Sequence, residues 1–281
     1  MCEKEITMIE LLHKKTSAVL ASIDAPSLAK AELSDMSLSD VDLKHGKLFH
    51  VDFTNTNLSD ADFTGCDIPY VRMRGANLQR AKFEGAQIGQ GDMTDADLTD
   101  ANVRRAILFA TNTKGAKLHS IRLSFSNVSF SDFSERDLSG SIWKCVDFGN
   151  MMMAKTNFRA SRFTRLTFRD CDLQNASFAE CMLSNVVLRN CNLEGLDFTG
   201  STLRNLCVIN CNNLHLAKGL TAITHKQAFS KGDPCSIDVA TLRSCLHGLP
   251  DKFLLGLGFA QAEIALWRKL YSDLNRETEE A

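Results

Sequence analysis

The chain has no run of 18 consecutive apolar residues, which argues against a membrane-spanning helix. Its first ten residues carry Glu3, Glu5 and Glu10 and lack the basic-then-apolar order of a secretory signal. A cytoplasmic protein with no membrane contact is therefore expected. Charge of one sign is not in excess: 32 Lys and Arg stand against 34 Asp and Glu, a formal net of −2, so the total implies no bulk polyanion-binding role. The motifs GxxxxGK(S/T), GxSxG, HExxH and GxGxxG are missing, and no enzyme is expected. The 10 Cys include no CxxC pair and the 7 His show no ligand spacing, so neither a metal nor a cofactor is expected. The run Asp92 to Asp100 lacks the EF-hand order ending in Glu and reads as a solvated acidic wall. Only 4 Pro and 2 Tyr accompany 17 Phe, a mixture that points to a repetitive chain. At 44% apolar, the 281 residues can bury a core.

The repeat has a period of five. Every fifth residue from Leu28 to Val208 is large and apolar, 37 positions in all, with Thr113 as the one exception. Two residues before each stands a usually small residue, as at Ala61, Cys66, Ala76, Ala81 and Cys171, and Asp or Asn is common between them, as at Asp52, Asn57 and Asp62. A period of five fits neither a helix (3.6) nor a half-buried strand (2). It fits a solenoid in which each five-residue unit forms one side of a coil, with one large and one small side chain pointing inward and stability coming from stacked neighbours.

The unit Ala61-Asp62-Phe63-Thr64-Gly65 and its copies over residues 26–212 resemble the pentapeptide-repeat proteins, whose motif is A(D/N)LXX. The resemblance implies a right-handed quadrilateral β-helix, a β-solenoid with four units per coil. That gives about nine coils and, at about 4.8 Å per strand, a rod on the order of 45 Å long. Arg136 at an inward small position and Thr113 at an inward large one predict distortion near residues 107–145. No insertion breaks the phase, so function is expected on the faces rather than in loops.

Three regions follow. Residues 1–25 read as an N-terminal helical cap, from the spacing of Ile6, Ile9, Leu12, Val19 and Leu20 and the closing Pro26. Residues 26–212 are the β-helix. Residues 213–281 read as helices joined by turns such as Lys231-Gly232-Asp233-Pro234 and Gly248-Leu249-Pro250, with Ile264, Trp267, Tyr271 and Leu274 marking one face of the last helix for capping or dimerisation. The resemblance implies a homodimer through these helices. Leu249 to Gly258 also resembles a short module that follows pentapeptide repeats in bacterial TIR-domain proteins, which suggests an adaptor in bacterial signalling or defence.

With residues 20 apart on the same wall, Cys171, Cys191 and Cys211 form an inward column that reads as small filler. Phe158, Phe178 and Phe198 form an internal ladder, and Asn150, Asp170, Asn190 and Asn210 an outward polar one. The wall centred on Val103, Leu123, Trp143, Phe163, Leu183 and Leu203 contains Arg104, Arg105, Arg122, Lys144, Arg162, Arg165 and Arg204, and no Asp or Glu. The opposite wall has Asp92, Asp95, Asp132, Glu135, Asp172 and Glu194 against Lys114 and Lys155. A third wall exposes Ile107, Phe109, Phe130, Val187 and Ile209, with Phe125 and Ile142 on the basic wall nearby. Arginine dominates the strip and suits bidentate contact with carboxylate or phosphate. The expected function is a non-catalytic interaction scaffold or adaptor that holds an acidic protein partner.

The resemblance implies an alternative, a DNA mimic that occupies a type II topoisomerase such as gyrase. Residues 31–100, at net −7, suit it; residues 101–212, at net +5, do not. Direct nucleic-acid binding fits poorly, because few stacking aromatics accompany the strip and the acidic wall repels a phosphate backbone.

Overall fold

A computed structural model describes residues 8–221, 224–225 and 236–279. The chain winds as a β-solenoid whose parallel bridges join each residue to the one 20 positions later. One column runs in nine successive steps from Glu32 through Asp52, Arg72 and Asp92 to Asn212. Near the C-terminal end the short bridges lengthen into four parallel strands in register, β3 (Ile142–Gly149), β4 (Arg162–Arg169), β5 (Met182–Arg189) and β6 (Thr202–Ile209), each spanning two walls.

The pentapeptide pattern follows from three local causes. The central residue of each unit from Leu33 to Val208 is buried, and its neighbours on the same wall stack on it: Phe158 and Phe178 lie 5.0 Å apart, Phe178 and Phe198 6.0 Å, and Phe148 and Phe168 4.9 Å. The Asp or Asn before it accepts a hydrogen bond from the backbone N–H two residues on, as Asp52 does from Thr54 (2.8 Å), Asp92 from Thr94 (3.0 Å) and Asn157 from Arg159 (3.0 Å), which closes the turn. The last residue of almost every unit has positive φ, between 48° and 73° from Lys30 to Asn210, and turns the corner.

The small inward residue does more than fill space. At several units where it is Ser, Thr or Cys, its hydroxyl or thiol donates to the carbonyl 23 residues earlier in the coil below: Thr56 to Leu33 (2.6 Å), Cys66 to Leu43 (2.9 Å), Ser126 to Val103 (2.6 Å), Thr156 to Phe133 (2.8 Å) and Cys181 to Phe158 (2.9 Å); the hydroxyls of Thr111 and Ser141 are buried without a partner. The expected distortion falls on one wall. Among the described residues no bridge joins Lys117 to Asp137, although Asp97–Lys117 and Asp137–Asn157 are bridged above and below. Arg136, whose Nε is buried without a hydrogen-bond partner, sits at this gap, and Thr113 Oγ1 donates to Asp132 O (2.7 Å) in place of apolar packing.

The N-terminal cap is not helical. β1 (Met8–His13) and β2 (Val19–Asp24) form an antiparallel hairpin, and β1 pairs with Val41–Asp42 of the first coils. Leu11 is buried while Met8 and Glu10 face solvent, an alternation that the spacing of Ile9 and Leu12 concealed. A strand can satisfy the exposed N–H and C=O groups of the first coil and a helix cannot, and Lys14 fixes the join by pairing with Asp40 (3.2 Å). Residues 1–7 lie outside the described residues.

After Asn212 the period is lost but the ladder continues for part of a coil. Asp197 bridges Lys218, Thr202 pairs with Thr224, and Cys207 with Ser236, so the spacing stretches from 20 to 21, 22 and 29 residues. Helices α1 (Val239–Cys245), α2 (Asp251–Gly256) and α3 (Gln261–Glu279) then cap the rod. Asp238 caps α1 by accepting from Thr241 N (3.0 Å), and it also accepts from Asn210 N (3.0 Å) of the last corner. The turn at residues 231–234 lies outside the described residues. No described helix is long and apolar enough to cross a membrane.

Candidate partner-binding face

The basic wall forms as the 20-residue wrap requires: Arg122 pairs in register with Asn102 and Ile142, and Ile142 with Arg162. Arg104, Arg105, Arg122, Lys144, Arg162 and Arg165 are exposed, and Arg204, higher on the rod, is half-buried. The coil below contributes one acid to this wall, Glu84, which lies 3.9 Å from Arg104 Nε and 3.8 Å from Arg105 Nη1. Pairs this long and exposed are weak and leave the positive field of the strip largely intact. Lys144 Nζ lies 5.8 Å from the centroid of the Phe125 ring.

The apolar residues beside the strip are Ile107, Phe109, Phe125, Phe130 and Ile142, all 45–58% exposed. Phe109 and Phe130 meet edge to face at 5.5 Å. Val187 and Ile209, grouped with them from the sequence, are half-buried because the neighbouring strands β5 and β6 pack closely there. The aromatic part of the cluster thus lies in the middle coils, and Met182, 50% exposed, sits in register above Arg162 on the basic wall.

Basic and apolar walls meet at a corner groove of about 600 Å³. It is lined by Arg105, Ile107, Phe125, Asn127, Cys145, Asp147, Arg165 and Thr167 over a floor of Ala106, Ser126 and Val146. Sequence reasoning singled out the two arginines, Ile107 and Phe125 but missed Cys145, Asn127, Asp147 and Thr167. Those four fall in columns 20 residues apart beside the basic strip, so the same wrap carries the signal for them.

Two inward cysteines are held in the stack. Cys66 and Cys181 are buried, donate to carbonyls of the coil below, and have their thiols pushed up by burial to about 11 and about 12, far from a reactive thiolate. No described cysteine is in a disulfide. Among the described residues no group of three or more His, Cys, Asp or Glu is arranged to hold a metal ion. The outward polar ladder is hydrogen-bonded, Asn210 to Asn190 (2.9 Å) and Asn190 to Asp170 (2.8 Å).

Of the C-terminal stripe, Ile264 is buried and Trp267 half-buried against the core. α3 continues through Tyr271 and Leu274, whose side chains lie outside the described ones. The exposed side of the helix instead carries Leu266 and Leu270.

A four-sided coil built from five-residue units, with a stacked apolar centre and a left-handed corner in each, defines a pentapeptide-repeat solenoid. The family model described as "Pentapeptide repeat region" matches residues 36–112 and 141–216, more than half of the chain, and the protein belongs to that family. The gap between the two matched segments contains Thr113 and Arg136. Among solved structures the chain is similar to HetL, a pentapeptide repeat protein involved in heterocyst differentiation regulation from the cyanobacterium Nostoc sp. strain PCC 7120. That match has 19% identity, covers 64% of this chain and 89% of HetL, and has a TM-score of 0.34. It is also similar to QnrB1, a plasmid-mediated fluoroquinolone resistance protein (18% identity, 56% of this chain and 82% of that one, TM-score 0.31). A third similar structure is a pentapeptide repeat protein of the Arabidopsis thaliana thylakoid lumen (23%, 42% and 71%, TM-score 0.29). No curated protein matches the chain.

Proposed function

We propose that the protein is a non-catalytic interaction scaffold that holds an acidic protein partner on its arginine-rich wall, and that two copies associate through the C-terminal helices. The observation that carries this reading is the strip of exposed Arg104, Arg105, Arg122, Lys144, Arg162 and Arg165 beside exposed Ile107, Phe109, Phe125, Phe130 and Ile142. Depletion of acids next to a cluster of aromatics and arginine is the composition of interface cores.

The acidic half supports topoisomerase mimicry less well, because residues 101–212 above it are net positive and its most closely paired carboxylates are neutralised within the rod. Asp52 lies 2.9 Å from Arg72 and Asp60 2.6 Å from Arg80. Paired charges project less field than a DNA phosphate row.

The test is a nuclease-treated affinity capture from the native host with wild type and the triple variant Arg104→Glu, Arg122→Glu, Arg162→Glu. Wild type is expected to retain an acidic protein that the folded triple variant loses. Equal retention by both would remove the basic wall as the site. Recovery of topoisomerase subunits by both forms, with inhibition in a supercoiling assay, would transfer the assignment to the acidic wall.

A further inference from the structure

Arg105, Phe125, Cys145 and Arg165 stand above one another at four successive turns of the groove corner, since the residues before them pair in register, Arg104 with Ser124 and Ser124 with Lys144. The column reads cation, apolar, apolar, cation. Each of the four has a left-handed backbone, with φ of 55°, 58°, 53° and 57°. Gly, Asn and Asp tolerate this conformation best, and the same corner uses Gly65 and Gly85 in the coils below and Asn185 and Asn205 in the coils above. For four consecutive turns the groove corner instead carries large or apolar side chains, and these four line the groove.

Adjacent strands lie about 4.8 Å apart, so the two arginines are separated by about 14 Å along the rod. An extended peptide advances about 3.3 Å per residue and points side chains i, i+2 and i+4 to one face, which places i and i+4 about 13 Å apart. We propose that the groove binds an extended acidic segment lying along the rod, with carboxylates at i and i+4 on Arg165 and Arg105 and an apolar side chain at i+2 on Phe125 and Cys145. This inference rests on the acidic-partner reading and names the segment that it recognises.

Charge complementarity selects the occupant. Lys144 over Phe125 adds a third cation to the corner side, and Asp147 on the far rim, 3.5 Å from Arg169, keeps the carboxylate row on that side. Ile107 extends the apolar surface, and Asn127 and Thr167 offer hydrogen bonds to the peptide backbone.

The experiment is fluorescence anisotropy with a labelled peptide Gly-Glu-Ser-Leu-Ser-Glu-Gly, an isomer Gly-Glu-Ser-Leu-Glu-Ser-Gly whose carboxylates are three apart, and poly-L-glutamate. The first peptide is expected to bind about tenfold tighter than its isomer, and Arg105→Gln and Arg165→Gln each to weaken it about tenfold while Arg189→Gln does not. Equal affinity for the two peptides on the wild-type protein overturns the groove assignment without relying on any variant. If, in addition, poly-L-glutamate binding is lost in the Arg104→Glu, Arg122→Glu, Arg162→Glu variant, the scaffold reading survives and the groove alone fails. Poly-L-glutamate binding untouched by that variant overturns both.

Discussion

At the scale of single residues, the corner positions set local strain against surface chemistry. Cys145 has φ of 53° and is half-buried, and its thiol makes no hydrogen bond among the described contacts. Replacing it with Asn, which tolerates the left-handed region, is expected to stabilise the fold by about 1 kcal/mol, read as a higher urea midpoint with unchanged slope. A lowered midpoint would show that the corner imposes no strain. The core tells the opposite story. Phe178 stacks between Phe158 and Phe198 and meets Phe163 and Phe168 edge to face at 5.3 and 5.8 Å. Phe178→Ala removes the middle of this ladder and is expected to cost about 3–5 kcal/mol in the same titration. A loss below about 1 kcal/mol would mean that the coils close over the gap.

At the scale of elements, the joint between rod and cap titrates. His215, in the turn Leu214–Leu216 that ends the coils, lies 4.6 Å from the ring of His247 in the turn Leu246–Gly248 of the cap. Its Nδ1 is buried without a hydrogen-bond partner, and burial, then the neighbouring His247 ring, holds its imidazole below the usual value. The guanidinium of Arg268, which donates to Leu246 O (3.1 Å) and Leu249 O (2.6 Å), adds positive charge nearby, and Asp251 is already paired with it at 2.6 Å. A lowered value in the fold favours the neutral ring. The stabilisation is therefore complete above the unfolded value near 6.5 and is lost as pH falls through that value towards the folded one. Hydrogen exchange in α1 and α2 is expected to accelerate from about pH 7.5 to about pH 5 after correction for intrinsic rates, and His215→Gln to flatten the change. Identical profiles for the two proteins would exclude His215.

The elements also show what a sequence can reveal. The five-residue period fixed centre, wall and corner for each unit from Leu33 to Val208, because nearly every unit repeats the same contacts and phase is never lost. It made the arginine strip and the Phe158 ladder legible before any coordinates. The N-terminal hairpin was not legible, since six-residue strands with apolar residues at Ile9 and Leu12 satisfy helical spacing equally well. What decided the matter was the open edge of the first coil, a long-range demand. The hydroxyl and thiol bonds to the coil below and the groove lined by Asn127, Asp147 and Thr167 likewise depend on stacking, which no single unit displays.

For the whole molecule, the proposed association of two copies rests on the cap. The outward side of α3 carries Leu266 and Leu270, 57% and 47% exposed, and Leu255 at the end of α2 is 44% exposed. Sedimentation of wild type is expected to give a dimer, and Leu266→Glu with Leu270→Glu a monomer with its solenoid intact. A wild-type monomer at the highest concentration reached would refute association through this helix. The unbroken 20-residue step also confines how such a rod can vary. Removing five residues below Val103 would turn everything above by a quarter and carry the arginines onto a different wall. Removing twenty between Arg105 and Arg165 would keep every face but bring the two cations one rung closer. The rod is therefore a ruler with a clock face, and its recognition properties can change only in whole ticks of angle or whole notches of length.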